Sequence, residues 1–445
     1  MKVTTSHLYK MLFLSLCFSI GWNNPMDFSI ELASKDKQGL SAPFTVTVPP
    51  ISKLVSNKDK EKEEAEPTEP TPIIEHALDK IESAKGFQGL FGWGDNTANR
   101  NCPSCVEEIR NIRYMQCNGQ NNYLESEMAT AVLSKGLLGD LIRAPIKTNS
   151  IIKPVCIQMG MNMKFGASSK TFRECAANGT ARQAFRPCIS ENYFKMINNS
   201  FEAVSSCMKD FLAPGASEET QNLDVRAVYA LINVESGFHV NARSGTGAGG
   251  IGQFTASAIQ DVNANELNAV RVSLEGNKNP LCSRLSMELL DTMTPMRTSS
   301  NYSCDRTSLK NGNPMKNMIY TYAYLKGIKA DMDMMIFNNK NYKAKFKMSE
   351  YDLNKIKRAL MVWSHNTGPA GTWTPAKALL NTFYRGKTVT DADQFIQQMQ
   401  QYMQKFPASA NKSSARRKET SHYFPSITKT LNSIEQSAGG GSCVN

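Results

Sequence analysis

The chain has 445 residues, 41% of them hydrophobic, with a mean hydropathy of −0.39 and a formal net charge of +11. That length and apolar content suit two or three domains with real cores, and the hydropathy points to a soluble protein with polar, extended parts. The positive charge suits an anionic polymer, but no nucleic-acid motif or aromatic RNA-binding pattern accompanies it, so nucleic acid is not read as a partner.

The chain opens with MKVTTSHLYKMLFLSLCFSIGW, in which Lys2 and Lys10 precede an apolar run from Met11 to Trp22. The run is short for a bilayer span and too apolar for a loop, so residues 1–22 read as a secretory signal, with an uncleaved anchor as the alternative. Leu16 stands where a lipoprotein signal carries a small residue, which argues against a lipid anchor at Cys17. The expected location is the periplasm or outside the cell, with no stable membrane span after cleavage. Residues 23–99 read as a disordered linker. Their stretch SNKDKEKEEAEPTEPTP mixes charge with proline and has almost nothing to bury.

Eleven cysteines occur. Leaving aside Cys17, the rest are Cys102, Cys105, Cys117, Cys156, Cys175, Cys188, Cys207, Cys282, Cys304 and Cys443. In an exported chain these are disulfide candidates. The CPSC motif at Cys102–Cys105 lacks a preceding strand for redox chemistry, and with five His and no second CxxC no metal site is read. Residues 100–215 show apolar residues at helical spacing and read as a Cys-rich helical domain that could engage a protein partner.

Residues 223–435 read as a second helical unit, so the fold class is mainly α. A polar insert is expected between about 262 and 313, with Cys282 and Cys304 paired across a loop of about 22 residues, worth roughly 3 kcal/mol. Residues 436–445 read as a flexible tail in which Cys443 needs a partner or stays free.

The stretch YALINVESGFHVNARSGTGAGGIGQF, residues 229–254, carries one carboxylate, Glu235, at the end of an apolar helical pattern. Val228, Leu231, Ile232 and Glu235 share a helical face, and Gly237 can end the helix just past the acid. Apolar surroundings favour the neutral form of an acid, as general-acid chemistry near neutral pH requires. The glycines that follow permit tight turns and close backbone approach to a ligand. A buried glutamate that caps the helix or pairs with Arg243 would show the same pattern.

The stretch resembles the catalytic signature of the soluble-lytic-transglycosylase family, glycoside hydrolase family 23, which shares its fold with goose-type lysozymes. The family's Glu-Ser is Glu235-Ser236 here. Its Gly-Leu-Met-Gln is Gly250-Ile251-Gly252-Gln253, and its Ala-Tyr-Asn-Ala-Gly is Ser364-His365-Asn366-Thr367-Gly368. A helix ending in Tyr324-Leu325, and Glu419-Thr420-Ser421-His422-Tyr423 for Glu-Thr-x-x-Tyr, complete the order over residues 223–435.

The resemblance implies a lysozyme-like helical domain acting on peptidoglycan glycan strands, without cofactor or metal. Glu235 would be the single acid/base cleaving the MurNAc–GlcNAc bond to a 1,6-anhydro end. One carboxylate suffices if the substrate's acetamido group assists, an exception to the usual carboxylate pair. Ser236, Gly250, Gln253, Tyr324, His365, Asn366, Gly368 and Glu419 would be its substrate-side residues.

Two departures stand out. Gly252 replaces a methionine thought to pack against the sugar, which suggests a more open groove or an altered subsite. His365 replaces a tyrosine and brings a titratable group to the cleft or to solvent. A hydrolytic lysozyme on the same scaffold is the first alternative. Goose-type lysozymes carry extra aspartates near the glutamate, whereas the next carboxylate after Glu235 here is Asp261, which favours the non-hydrolytic reaction. A non-catalytic wall-binding or assembly protein is the second.

Overall fold

The computed structural model describes residues 136–146, 151–165, 172–175, 181–184, 190–245, 247–287, 314–405, 414–438 and 443–444. All of them fall within the unit Ile73–Asn445. The signal segment, the linker, the CPSC motif, Cys117, Cys188 and Cys304 lie outside the described residues.

The architecture is mainly helical. Among the described residues, helices α1 (Leu137–Arg143) and α2 (Pro154–Phe165) come first. A short antiparallel hairpin follows, β1 (Phe172–Cys175) and β2 (Ala181–Ala184), with Phe172 opposite Ala184 and Cys175 opposite Ala181. The helical reading of this region did not anticipate it. Helices α3 (Glu191–Met208), α4 (Glu218–Ser236), α5 (Ala256–Asp261), α6 (Leu267–Glu275) and α7 (Pro280–Ser286) come next. Then come α8 (Pro314–Met332), α9 (Glu350–Thr367), α10 (Pro369–Asn381), α11 (Ala392–Lys405) and α12 (Ser414–Ser437). Among the described residues no helix is long and apolar enough to cross a membrane.

Helix α4 sits at the centre. Ser217 caps its start by accepting from the Thr220 N–H at 3.3 Å, and Glu218 and Glu219 in the first turn suit the positive end of the helix dipole. Leu223–Val225 and Ala227–Asn233 are all buried, so this stretch is covered on every side and not only on the face of Val228, Leu231 and Ile232. It packs against α2, α9 and α12. Gly237, left-handed at φ 60°, ends it and returns its N–H to the Asn233 carbonyl.

A buried ion pair joins α4 to α9: Arg358 Nη1 lies 3.6 Å from Asp224 Oδ1, both nearly inaccessible. Removing one partner of such a pair strands a buried charge, so the pair constrains how the helices align. Asp224 near the start of α4 meets Arg358 midway along α9, and the C-terminal turns meet again at the site below. The two helices therefore run the same way.

One hydrophobic core includes residues from 137–212 together with residues from 225–434. The α3 residue Tyr193 donates its hydroxyl to the Phe238 carbonyl at 2.8 Å and accepts from the Val240 N–H. Phe201, Tyr229 and Phe238 meet ring to ring at 5.9–6.2 Å.

Three expectations need correction. Cys282 pairs with Cys207 on α3, not with Cys304. The stretch expected to be a polar insert starts as a π turn, α6 and α7, and buries Val262, Val270, Leu274 and Leu285. The expected flexible tail closes on the body: Cys443 bonds Cys156 on α2, and Val444 bridges Ile152.

Candidate active site

Glu235 lies in the last turn of α4, where the buried helix reaches the surface, and its side chain is 17% exposed. Two side chains from the far half of the chain meet its Oε1. Tyr423 of α12 donates its hydroxyl to it in a short hydrogen bond. His365, in the last turn of α9, brings Nδ1 to 3.4 Å, and its side chain is only 4% exposed. His365 thus faces the acid, not solvent. Burial and the adjacent Glu235 carboxylate push the Tyr423 hydroxyl well above its ordinary pKa, so it stays a neutral donor.

Ser236 is buried, and its hydroxyl donates to the Ile232 carbonyl within the helix. Beyond Gly237 the chain makes a tight loop in which Gly249 bridges both Arg243 and Phe254. Gln253 ties it together: its Nε2 donates to the Ala242 carbonyl at 3.1 Å and the Gly250 carbonyl at 2.8 Å. Gln253 itself holds φ 50°, uncommon for a residue with a side chain. Gly250 is left-handed at φ 80°, and a Cβ there would run into the Asn317 amide. Both the backbone and the space require glycine at 250.

Gly252 has a different reason. A Cβ there would strike the Phe254 ring and come within 2.7 Å of Thr321 Oγ1. The space beside position 252 is occupied, so of the two expectations the more open groove does not hold at this point. Phe254 is buried and meets Tyr324 and His365 edge to face at 6.3 Å in each case, while Tyr324 and His365 are 5.8 Å apart. Burial pushes the Tyr324 hydroxyl up to about 12.

Asn366 is half-buried on the last turn of α9, and Gly368, at φ 75°, makes the turn into α10. Thr367 braces that turn by bonding the Trp363 carbonyl and the Thr372 hydroxyl. Trp363 belongs to the core, stacked on Phe424 of α12 at 4.6 Å. The side chain of Glu419 lies outside the described residues.

The model of the Transglycosylase SLT domain family matches residues 213–279. The chain is SLT-like over this stretch. The SLT match spans Glu235, Ser236 and the Gln253 loop, while His365, Tyr324 and Tyr423 lie beyond it. At family level it supports a peptidoglycan-acting function of the lytic transglycosylase type on a lysozyme-like helical fold. No curated protein and no solved structure matches the chain.

Tyr423 escaped the choice of site residues, although the Glu-Thr-x-x-Tyr motif contains it. Glutamate and tyrosine at i and i+4 share a helical face, so that spacing was the available signal. Phe254 had no local signal.

Proposed function

We propose that this protein is an exported peptidoglycan lytic transglycosylase with Glu235 as its single acid/base. The observation that carries this reading is the Glu235 carboxyl itself. It emerges partly exposed from a buried helix, beside the Gln253 loop, with Oε1 held by Tyr423.

Protonated Glu235 gives its proton to the glycosidic oxygen as the bond from the MurNAc C1 breaks. The substrate's acetamido oxygen covers the developing positive charge on C1. The Glu235 carboxylate then takes the proton of the C6 hydroxyl of the same MurNAc. The freed oxygen closes on C1 as the acetamido oxygen leaves, and the product ends in a 1,6-anhydro ring. Glu235 finishes protonated, ready for another cycle. Tyr423 holds Oε1 throughout and so fixes the carboxyl that passes the proton. Gln253, Gly250, Tyr324, Asn366 and Gly368 shape the cleft that receives the sugar.

The deciding experiment digests purified peptidoglycan with the full chain and weighs the products. The expected 1,6-anhydro ends are one water lighter than reducing ends. Products carrying only reducing ends would show hydrolysis instead, and an intact wall would remove both enzymatic readings.

A further inference from the structure

His365 Nδ1 is buried, makes no hydrogen bond among the described residues, and points at Glu235 Oε1 from 3.4 Å. The distance is that of an ion pair, without hydrogen-bond alignment. Among the described residues, the groups facing this imidazole come from four elements. Glu235 comes from α4. Tyr423 comes from α12, on the same carboxylate oxygen. Tyr324 comes from α8, and Phe254 from the loop after α4. Both tyrosines stay neutral through the physiological range, and phenylalanine carries no charge. Of these five side chains the carboxyl and the imidazole are therefore the two whose charge a proton can switch while the tyrosines stay neutral.

We infer that Glu235 and His365 form one proton-sharing pair, with His365 the positioning residue whose charge state decides when Glu235 can act as acid. This rests on Glu235 being the acid/base proposed above. With one proton between them, the pair exists either as carboxylic acid beside neutral imidazole or as carboxylate beside imidazolium. Only the first can protonate a glycosidic oxygen. A second proton makes an imidazolium beside the sugar carbon on which positive charge develops, and that opposes the step. The active form is therefore the singly protonated pair, and its pH limits belong to the pair and not to either residue. A tyrosine at 365 would hold the carboxyl without titrating here, so histidine makes this site responsive to acid.

The first arm of the test compares full-chain wild type with His365→Tyr and His365→Asn on purified peptidoglycan. Relative to wild type, the kcat of both variants is expected to rise about tenfold or more between pH 7 and pH 5, because only in wild type does the pair gather a second proton as the pH falls. The change belongs in kcat and not in KM. A variant-to-wild-type ratio that stays constant with pH would overturn the pair.

The second arm needs no turnover. Imidazole 15N signals of the five histidines are followed against pH in wild type, Glu235→Gln and a surface control, Asp261→Asn. The His365 curve should move to lower pH in Glu235→Gln alone. Superimposable curves would also overturn the inference. If wild type leaves peptidoglycan intact, the proposed function fails while this titration still decides whether the pair exists.

Discussion

The Tyr423 hydroxyl donates to Glu235 Oε1 across 188 positions of sequence. The contact joins the last long helix to the central one at the single carboxyl the proposed chemistry uses. Tyr423 is nearly inaccessible and its neighbour Phe424 stacks on Trp363 of α9, so the hydroxyl is held where it is by packing. A hydrogen bond to a charged group contributes about 1.5–3 kcal/mol. Tyr423→Phe keeps the ring and deletes that bond. Peptidoglycan turnover is expected to fall roughly 10- to 100-fold at near-neutral pH if the bond orients the acid in the transition state. Rates within twofold of wild type would show that the hydroxyl is not needed to position Glu235.

Glu235→Gln preserves shape and still accepts from Tyr423. What it loses is a proton that can be given and recovered. General acid–base groups contribute typically about 10²- to 10⁴-fold, so turbidity clearing of purified peptidoglycan should drop to background. Helical content and wall binding should remain. Clearing within tenfold of wild type would remove Glu235 from the mechanism.

Much of this site was legible in the sequence because it is local. The end of α4 is announced by an apolar run, an acid and a glycine, and the loop behind it by glycines that 250 and 252 require. What the sequence did not announce is what lies across from each piece. Periodicity marks an apolar face but not its partner, so nothing in Tyr193 foretold its bond to Phe238. The same holds for covalent partners. Cys282 and Cys304 looked paired because they are near in sequence, yet α7 packs on α3 and brings Cys282 to Cys207. Resemblance alone could place His365 at the proposed site. That it faces the acid depends on α4 and α9 running the same way, which the buried Asp224–Arg358 pair helps to hold.

Position 252 tests whether glycine there is a matter of space. Restoring the family's methionine, Gly252→Met, would drive a side chain against the buried Phe254 ring and Thr321. Neither neighbour is a flexible end that can swing away cheaply. Overpacking of this kind costs about 1–3 kcal/mol, and the denaturant midpoint should fall accordingly. Gly252→Met combined with Phe254→Ala should recover part of that loss relative to Phe254→Ala alone, because the ring that blocks the site is gone. A single variant as stable as wild type would show that the loop yields and that Phe254 does not dictate the glycine.

The C-terminal clasp makes the last prediction. The Cys156–Cys443 bond ties the end of the chain to α2, over a sequence separation of 287. Hydrogen bonds reinforce it: the Lys153 N–H donates to the Cys443 carbonyl at 3.1 Å, and the Cys443 N–H donates to Glu435 Oε1 at 3.2 Å. Helix α2 in turn lies against α4, where Tyr229 donates to the Cys156 carbonyl at 3.0 Å. Closing a long loop removes entropy from the unfolded chain, so such a bond typically contributes about 2–4 kcal/mol. Cys443→Ser should lower the unfolding free energy by that amount and expose one additional thiol per denatured chain, that of Cys156. The catalytic end should be less affected, because Tyr423, Phe424, Ile427 and Leu431 are buried in their own right and hold α12 in place. Peptidoglycan turnover at 25 °C is therefore expected to stay within about threefold of wild type while the melting temperature drops. An unchanged melting temperature together with an unchanged thiol count would mean that the clasp does not form in the folded protein.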